Sequence, residues 1–138
     1  VVLIENDVIF AYMNENDEKH HIAEKIFNKL KEGRLKLDIS GVTLIEIELI
    51  YKSQKLEDRL LQVMSALLSL PNVSFIPLTP ETVITSVKLR QEFGLSFFDS
   101  HYAATALYLD GKIISFDRAY DSIPGLERID PVEESESD

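Results

Sequence analysis

The chain reads as a three-layer α/β/α domain, with a central and mainly parallel sheet of four or five strands. Short strand-like runs recur along the sequence (VVLI, LKLDI, VSFI, IISF), the first all apolar as suits a buried parallel strand. Helical patterns lie between successive runs, the order that builds crossovers between parallel strands. At 138 residues, 45% apolar and 28% charged, the chain is long enough and ordinary enough in composition for one domain with its own core.

Taken in order, Val1 to Ile4 is the first strand, and Val8 to Met13 a short helix followed by a polar turn at 14–19. Ile22, Ile26, Phe27 and Leu30 then share one helical face, and Gly33 stops that helix. Leu35 to Ile39 is the second strand. Thr43 to Tyr51 and Leu56 to Leu70 read as helices, the latter with a stripe of Leu56, Leu60, Val63, Leu67 and Leu70 and a stop at Pro71. Val73 to Ile76 is the third strand. Thr79-Pro80-Glu81 opens a helix with an N-cap, a proline at the first helical position and an acid near the positive end of the dipole. That helix runs to Phe93 and breaks at Gly94. Phe97 to Leu109 is the next helix, where Ala103-Ala104-Thr105-Ala106 allows close packing on a neighbour. Ile113 to Phe116 is the fourth strand, and Arg128 to Ile129 a short edge strand. No linker, repeat or second domain is visible. The organisation is a domain over residues 1–131 and an acidic tail over 132–138, read as solvated and disordered.

Composition narrows the chemistry. With no cysteine, thiol nucleophiles, zinc–thiolate sites and disulfides are excluded, and a reducing cytoplasm fits. No apolar run reaches the roughly 18 residues of a membrane span, and no signal peptide is visible. The start at Val1 without a Met points to a few trimmed N-terminal residues. A net charge of −10 argues against nucleic-acid binding by bulk electrostatics, though a bound divalent ion cancels charge locally.

The candidate site residues are acidic. Glu5, Glu46, Asp99 and Asp117 each follow an apolar run at a strand end or a helix start, and Asp7 accompanies the first. Strand ends of an α/β sheet gather at one edge of the fold, where sites form. Clustered carboxylates repel one another, and a hard divalent cation among them relieves this. Each acid also has a plainer role. Thr43-x-x-Glu46 and Ser96-x-x-Asp99 match the capping box. Asp7 can cap the helix starting at Val8, Glu5 can be a surface residue past the strand, and Asp117 can cap the turn at 118–121. Four separate junctions that all carry an acid are what these local roles leave unexplained.

In sequence the order is strand-acid-x-acid-helix, then S-x-x-T-L-x-E, then GLSFFDSHYAATAL, then IISFDRAYDSIPGL. This order resembles the PIN domain, the metal-dependent ribonuclease fold of VapC-type toxins and RNA-processing proteins, over residues 1 to about 130. The resemblance implies Glu5, Glu46, Asp99 and Asp117 as catalytic, metal-binding carboxylates, with Mg²⁺ or Mn²⁺ as cofactor and RNA as substrate. It implies a homodimer and a small antitoxin partner that blocks the acidic pocket. Two departures stand out. Glu5-Asn6-Asp7 replaces the usual D-T-N or D-T-D, so Asp7 competes with Glu5 as first ligand. Ser115 stands where the family often has Thr, keeping the hydroxyl.

Asp99 with Glu5 or Asp7 then holds the ion, while Glu46 and Asp117 complete the site directly or through water. The ion supplies an activated water and neutralises phosphate charge. Lys52, Lys55, Arg59 and Arg118 are candidate phosphate contacts, against the plainer reading of solvated charges. Phe97, Phe98 and Tyr120 are candidates for stacking on bases, with at least one of the two Phe residues in the core. His20 and His21 read as surface residues at a helix start, since neighbours on a helix point about 100° apart. Asn14, Asn16 and Asp17 can line the entrance. Two other readings compete: a catalytically weakened interaction module of the same fold, in RNA processing or regulation, and a phosphoacceptor receiver domain. The latter needs an Asp ending its third strand, where this chain has Ile76-Pro77-Leu78.

Overall fold

The computed structural model describes residues 1–138, and its centre is a five-stranded, all-parallel sheet in the order β3-β2-β1-β4-β5. The strands are β1 (Val2–Ile4), β2 (Leu37–Ser40), β3 (Val73–Ile76), β4 (Lys112–Ile114) and β5 (Glu127–Ile129). Register is close-set at the centre, with Leu3 paired to Asp38 on one side and to Ile113 on the other. This order differs from the 2-1-3-4-5 of receiver domains, which removes that reading.

Seven helices cover the sheet: α1 (Asn6–Met13), α2 (His20–Lys31), α3 (Gly41–Ser53), α4 (Leu60–Leu68), α5 (Pro80–Phe93), α6 (Phe97–Tyr108) and α7 (Pro131–Glu136). Strand side chains alternate between faces, and the two halves of the core follow that alternation. Val2, Ile4 and Ile114 pack with Val8 and Ile9 of α1, Ile26 and Phe27 of α2, Ile47 of α3 and Leu67 of α4. Leu3 and Ile113 point the other way, into Leu89 of α5 and Tyr102, Ala103 and Ala106 of α6. The small residues of α6 thus let it lie close on the sheet.

Local chemistry sets the boundaries that matter. Gly94 ends α5 in the left-handed region (φ 69°) and frees the chain to turn into α6, where Ser96 caps by accepting from Asp99 N–H. At Gly111 (φ +79°) a Cβ would lie 2.7 Å from Gly125 O, so only glycine allows the start of β4 to meet the turn before β5. The helix read over Leu56–Leu70 is shorter: a 3₁₀ turn at Glu57–Arg59 precedes α4.

The acidic end is not the disordered tail read from the sequence. Asp130 caps α7, Pro131 takes its first position, and the helix docks on α2. Lys29, buried on α2, donates from Nζ to Glu134 O (2.9 Å) and Ser137 Oγ (2.8 Å). Counting acids missed this docking, because the anchor is a lysine more than one hundred residues away in sequence.

Candidate metal centre

Strand order reverses between β1 and β4, so the carboxyl ends of these neighbours open a crevice at the switch point. Glu5 follows β1 and Asp117 follows β4, while α3 and α6 carry Glu46 and Asp99 toward the same place. Each of the five candidate acids accepts a hydrogen bond from the protein on one carboxylate oxygen.

Ser115 ties the first group together. Its Oγ lies 3.1 Å from Glu5 Oε2 and 2.9 Å from Asp7 Oδ2, donating to this pair, and accepts from Asp117 N–H (3.0 Å). Phe116 N–H donates to Asp7 Oδ2 as well (2.9 Å). Asp7 Oδ1 is left buried with no partner, as is Asn6 Oδ1. Glu46 Oε1 accepts from Tyr102 OH (2.6 Å) and Asn6 Nδ2 (2.9 Å). Asp99 Oδ1 accepts from Tyr120 OH (3.2 Å), and Asp117 Oδ1 from Ala119 N–H (2.9 Å). Arg128 donates to Ser115 O (3.0 Å) and pairs with Asp121 (2.8 Å), which pins the end of β4.

Several local roles give way here. Glu46 is not a capping-box acid, since Ser40 caps α3 by accepting from Val42 N–H and Thr43 is buried inside the helix. Glu5 is not at the surface; it is 5% exposed and occupies the N-cap position of α1 without capping through its side chain. Asp7 lies one residue inside that helix, turned to Ser115. Asp117 does cap its turn and shares the crevice as well.

Electrostatics report the crowding. Burial first, then the neighbouring Asp7 carboxyl, then Asp99 and Glu46, push Glu5 up to about 10. Burial, then the Asp117 carboxyl, push Asp99 up to about 6. Burial first, then Glu46 at Tyr102 and Glu5 and Asp99 at Tyr120, push both hydroxyls up, so both remain neutral donors. As the side chains stand, no three acids close around one point. They pair instead, Glu5 with Asp7 and Asp99 with Asp117.

Other candidates fall elsewhere. Tyr120 is fully buried and cannot stack on a base. Phe98 packs on the core while Phe97 is 55% exposed and edge-on to it. Lys52, Lys55, Arg59 and Arg118 are exposed. His20 lies at the start of α2, its Nδ1 against Ala11 O (2.9 Å). Burial, with Arg90 nearby, pushes His101 down, and its Nδ1 has no partner. Sequence reading missed Asn6, Tyr102 and Arg128. Tyr102 had a signal: it lies one helical turn beyond Asp99, so both face the same way.

A parallel α/β/α sheet with acids gathered at its switch point defines a class of domain. The PIN domain family model matches residues 2–126, and the chain belongs to the PIN domain family. Solved structures share its fold. A toxin–antitoxin complex from Klebsiella pneumoniae contains a chain 21% identical, with a TM-score of 0.65 and coverage of 95% of this chain and 98% of that one. DNA-bound VapBC from Salmonella typhimurium has one 19% identical, with a TM-score of 0.72 and coverage of 94% and 97%. VapBC2 from Rickettsia felis, bound to a promoter DNA fragment, has one 14% identical, with a TM-score of 0.70 and coverage of 93% and 96%. At these identities the likeness is one of fold. No curated protein matches the chain.

Proposed function

We propose that this protein is a divalent-metal-dependent ribonuclease, the toxin of a toxin–antitoxin pair, with Glu5, Asp7, Glu46, Asp99 and Asp117 as its site. The observation that carries the reading is the convergence of acids from separate elements, each held by a donor on one oxygen, with Asp7 Oδ1 buried without a donor. A buried carboxylate oxygen with no donor is costly, and a cation satisfies it.

The donor set fits Mg²⁺ or Mn²⁺. It is all oxygen, it is paired rather than closed, and Mg²⁺ is commonly held by one or two carboxylates and several waters. When bound, the ion supplies a more acidic water and positive charge beside the scissile phosphate. Asp99 and either Glu5 or Asp7 would hold it, and Glu46 and Asp117 would complete the site. The chain's own residues keep these groups aimed. Tyr102 and Asn6 fix one oxygen of Glu46, Tyr120 fixes one of Asp99, and Ser115 with Phe116 N–H fixes one of Asp7. These hydrogen bonds limit how far each carboxylate has to move to take up an ion.

The antitoxin part of the reading draws on the matched structures, which are toxin–antitoxin complexes. A groove of about 450 Å³ supports it, lined by Leu56 and by Phe10, Met13, Ile50 and Tyr51 of α1 and α3, the helices that also carry Asp7 and Glu46. A homodimer is supported by the apolar residues left exposed at Val83, Ile84 and Val87 of α5 and Tyr108 of α6. No helix is long and apolar enough to cross a membrane. The reading puts the protein in the cytoplasm with its RNA.

One observation favours a second reading, a catalytically weakened interaction module. Glu5 replaces a shorter acid and is so buried that it is protonated at neutral pH without an ion. Cleavage of a panel of structured and single-stranded RNAs in Mg²⁺, Mn²⁺ or EDTA separates the two. The nuclease reading expects cutting that needs metal and disappears in Asp99→Asn. Folded wild type that cuts nothing in either metal favours the module.

A further inference from the structure

Beside the acidic crevice lies a pocket of about 350 Å³ lined by Asp7, Ala11, Asp17, Lys19, Phe116 and Asp117. Lys19 is its one basic residue. The Lys19 ammonium stands 4.3 Å from the centre of the Phe116 ring and pairs with no carboxylate, although three line the same pocket. Both halves of this stack are anchored. Lys19 N–H donates to Asp17 Oδ1 (2.8 Å), and Phe116 N–H donates to Asp7 Oδ2 (2.9 Å). The attraction of the ring face for the cation thus holds an uncommitted positive charge at a set place beside two of the candidate ligands.

We propose that Lys19, on its Phe116 platform, is the subsite for an RNA phosphodiester next to the bond that is cut. The proposal rests on the ribonuclease reading and deepens it. A chain of net charge −10 cannot draw a polyanion by its overall field, so the strand must be met by a local cation. Arg128 is committed to Asp121 and Ser115 O. Lys52, Lys55, Arg59 and Arg118 line no part of this pocket. A phosphate here would take up the ammonium and so offset the acids that otherwise repel the strand.

The test is fluorescence anisotropy of labelled single-stranded oligoribonucleotides on the full chain in Ca²⁺, over a range of salt, with initial rates in Mn²⁺ alongside. Lys19→Ala is expected to weaken binding roughly 5- to 20-fold and to lower the slope of log affinity against log salt by about 0.7. KM rises by a similar factor while kcat stays within about twofold, the pattern of a contact made equally in ground and transition states. Lys19→Arg keeps most of the binding. Lys36→Ala, an exposed lysine preceding β2 at the opposite end of the strands, changes neither quantity. Wild type that binds or cuts RNA, with Lys19→Ala matching it in affinity and salt slope, overturns the subsite alone. A fall in kcat at unchanged KM also overturns it. Wild type that neither binds nor cuts any RNA overturns the subsite together with the ribonuclease reading.

Discussion

Asp99→Asn separates two effects of one carboxylate. Without metal the charge is a liability, because burial and then the Asp117 carboxyl push Asp99 from 3.8 up to about 6. The sign follows from linkage: a carboxyl raised on folding gives its full stability below its unfolded value, near pH 4, and loses it as pH climbs through about 6. At about 1.4 kcal/mol per tenfold in acidity, the gap is worth about 3 kcal/mol, and solvent screening at this half-buried side chain roughly halves that. Asn keeps an oxygen for the Tyr120 hydroxyl and carries no charge. In EDTA near pH 7.5 the variant is therefore expected to be about 1.5 kcal/mol more stable than wild type, a rise in Tm of about 5 °C for a chain of this size. Near pH 4 the gain disappears. Adding Mg²⁺ raises the wild-type Tm and leaves the variant's unchanged. Thermal melts followed by circular dichroism, at both pH values and with and without Mg²⁺, check all of this. Equal or lower stability of Asp99→Asn in EDTA at neutral pH would refute the crowding argument. Equal Mg²⁺ stabilisation of both proteins would refute the role of Asp99 in holding the ion.

The remaining expectations concern the groups around it. Tyr102→Phe removes a short hydrogen bond to a carboxylate and is expected to cost about 1.5–2 kcal/mol in urea unfolding, with cleavage weakened through a loosened Glu46. Ser115→Ala unties Glu5, Asp7 and Asp117 N–H at once, for a loss of about 1–3 kcal/mol in the same assay. Glu5 stands at about 10 without metal, so if it is a ligand, ion binding near pH 8 releases about one proton, read by calorimetry in buffers of different ionisation enthalpy. No proton release would assign the first ligand to Asp7. Lys29→Ala frees α7 for about 1–2 kcal/mol and makes the chain beyond Asp130 open to limited proteolysis, where wild type resists.

The fold was legible because its signals were local and repeated. Buried runs such as Val2–Ile4 have no other use, and Thr79-Pro80 and Gly94 punctuate α5 at both ends. The acids were legible for the same reason, each at a junction. What stayed hidden was pairing across distance. Tyr120 looked like a base-stacking residue because only the fold shows that its ring is buried while its hydroxyl reaches Asp99. Glu46 matched a capping box by spacing, yet Ser40 had already capped that helix three residues earlier than Thr43. The acidic end looked disordered because charge count alone cannot reveal a buried lysine waiting for it on α2.

The central claim is that five carboxylates from separate elements form one divalent-cation site. Mn²⁺ titration followed by electron paramagnetic resonance tests it most directly, on wild type, Asp99→Asn and Asp7→Asn. Wild type is expected to take up Mn²⁺, in competition with Mg²⁺, and both variants to bind much more weakly while remaining folded. Uptake that is equal in all three, or absent from folded wild type, would contradict it.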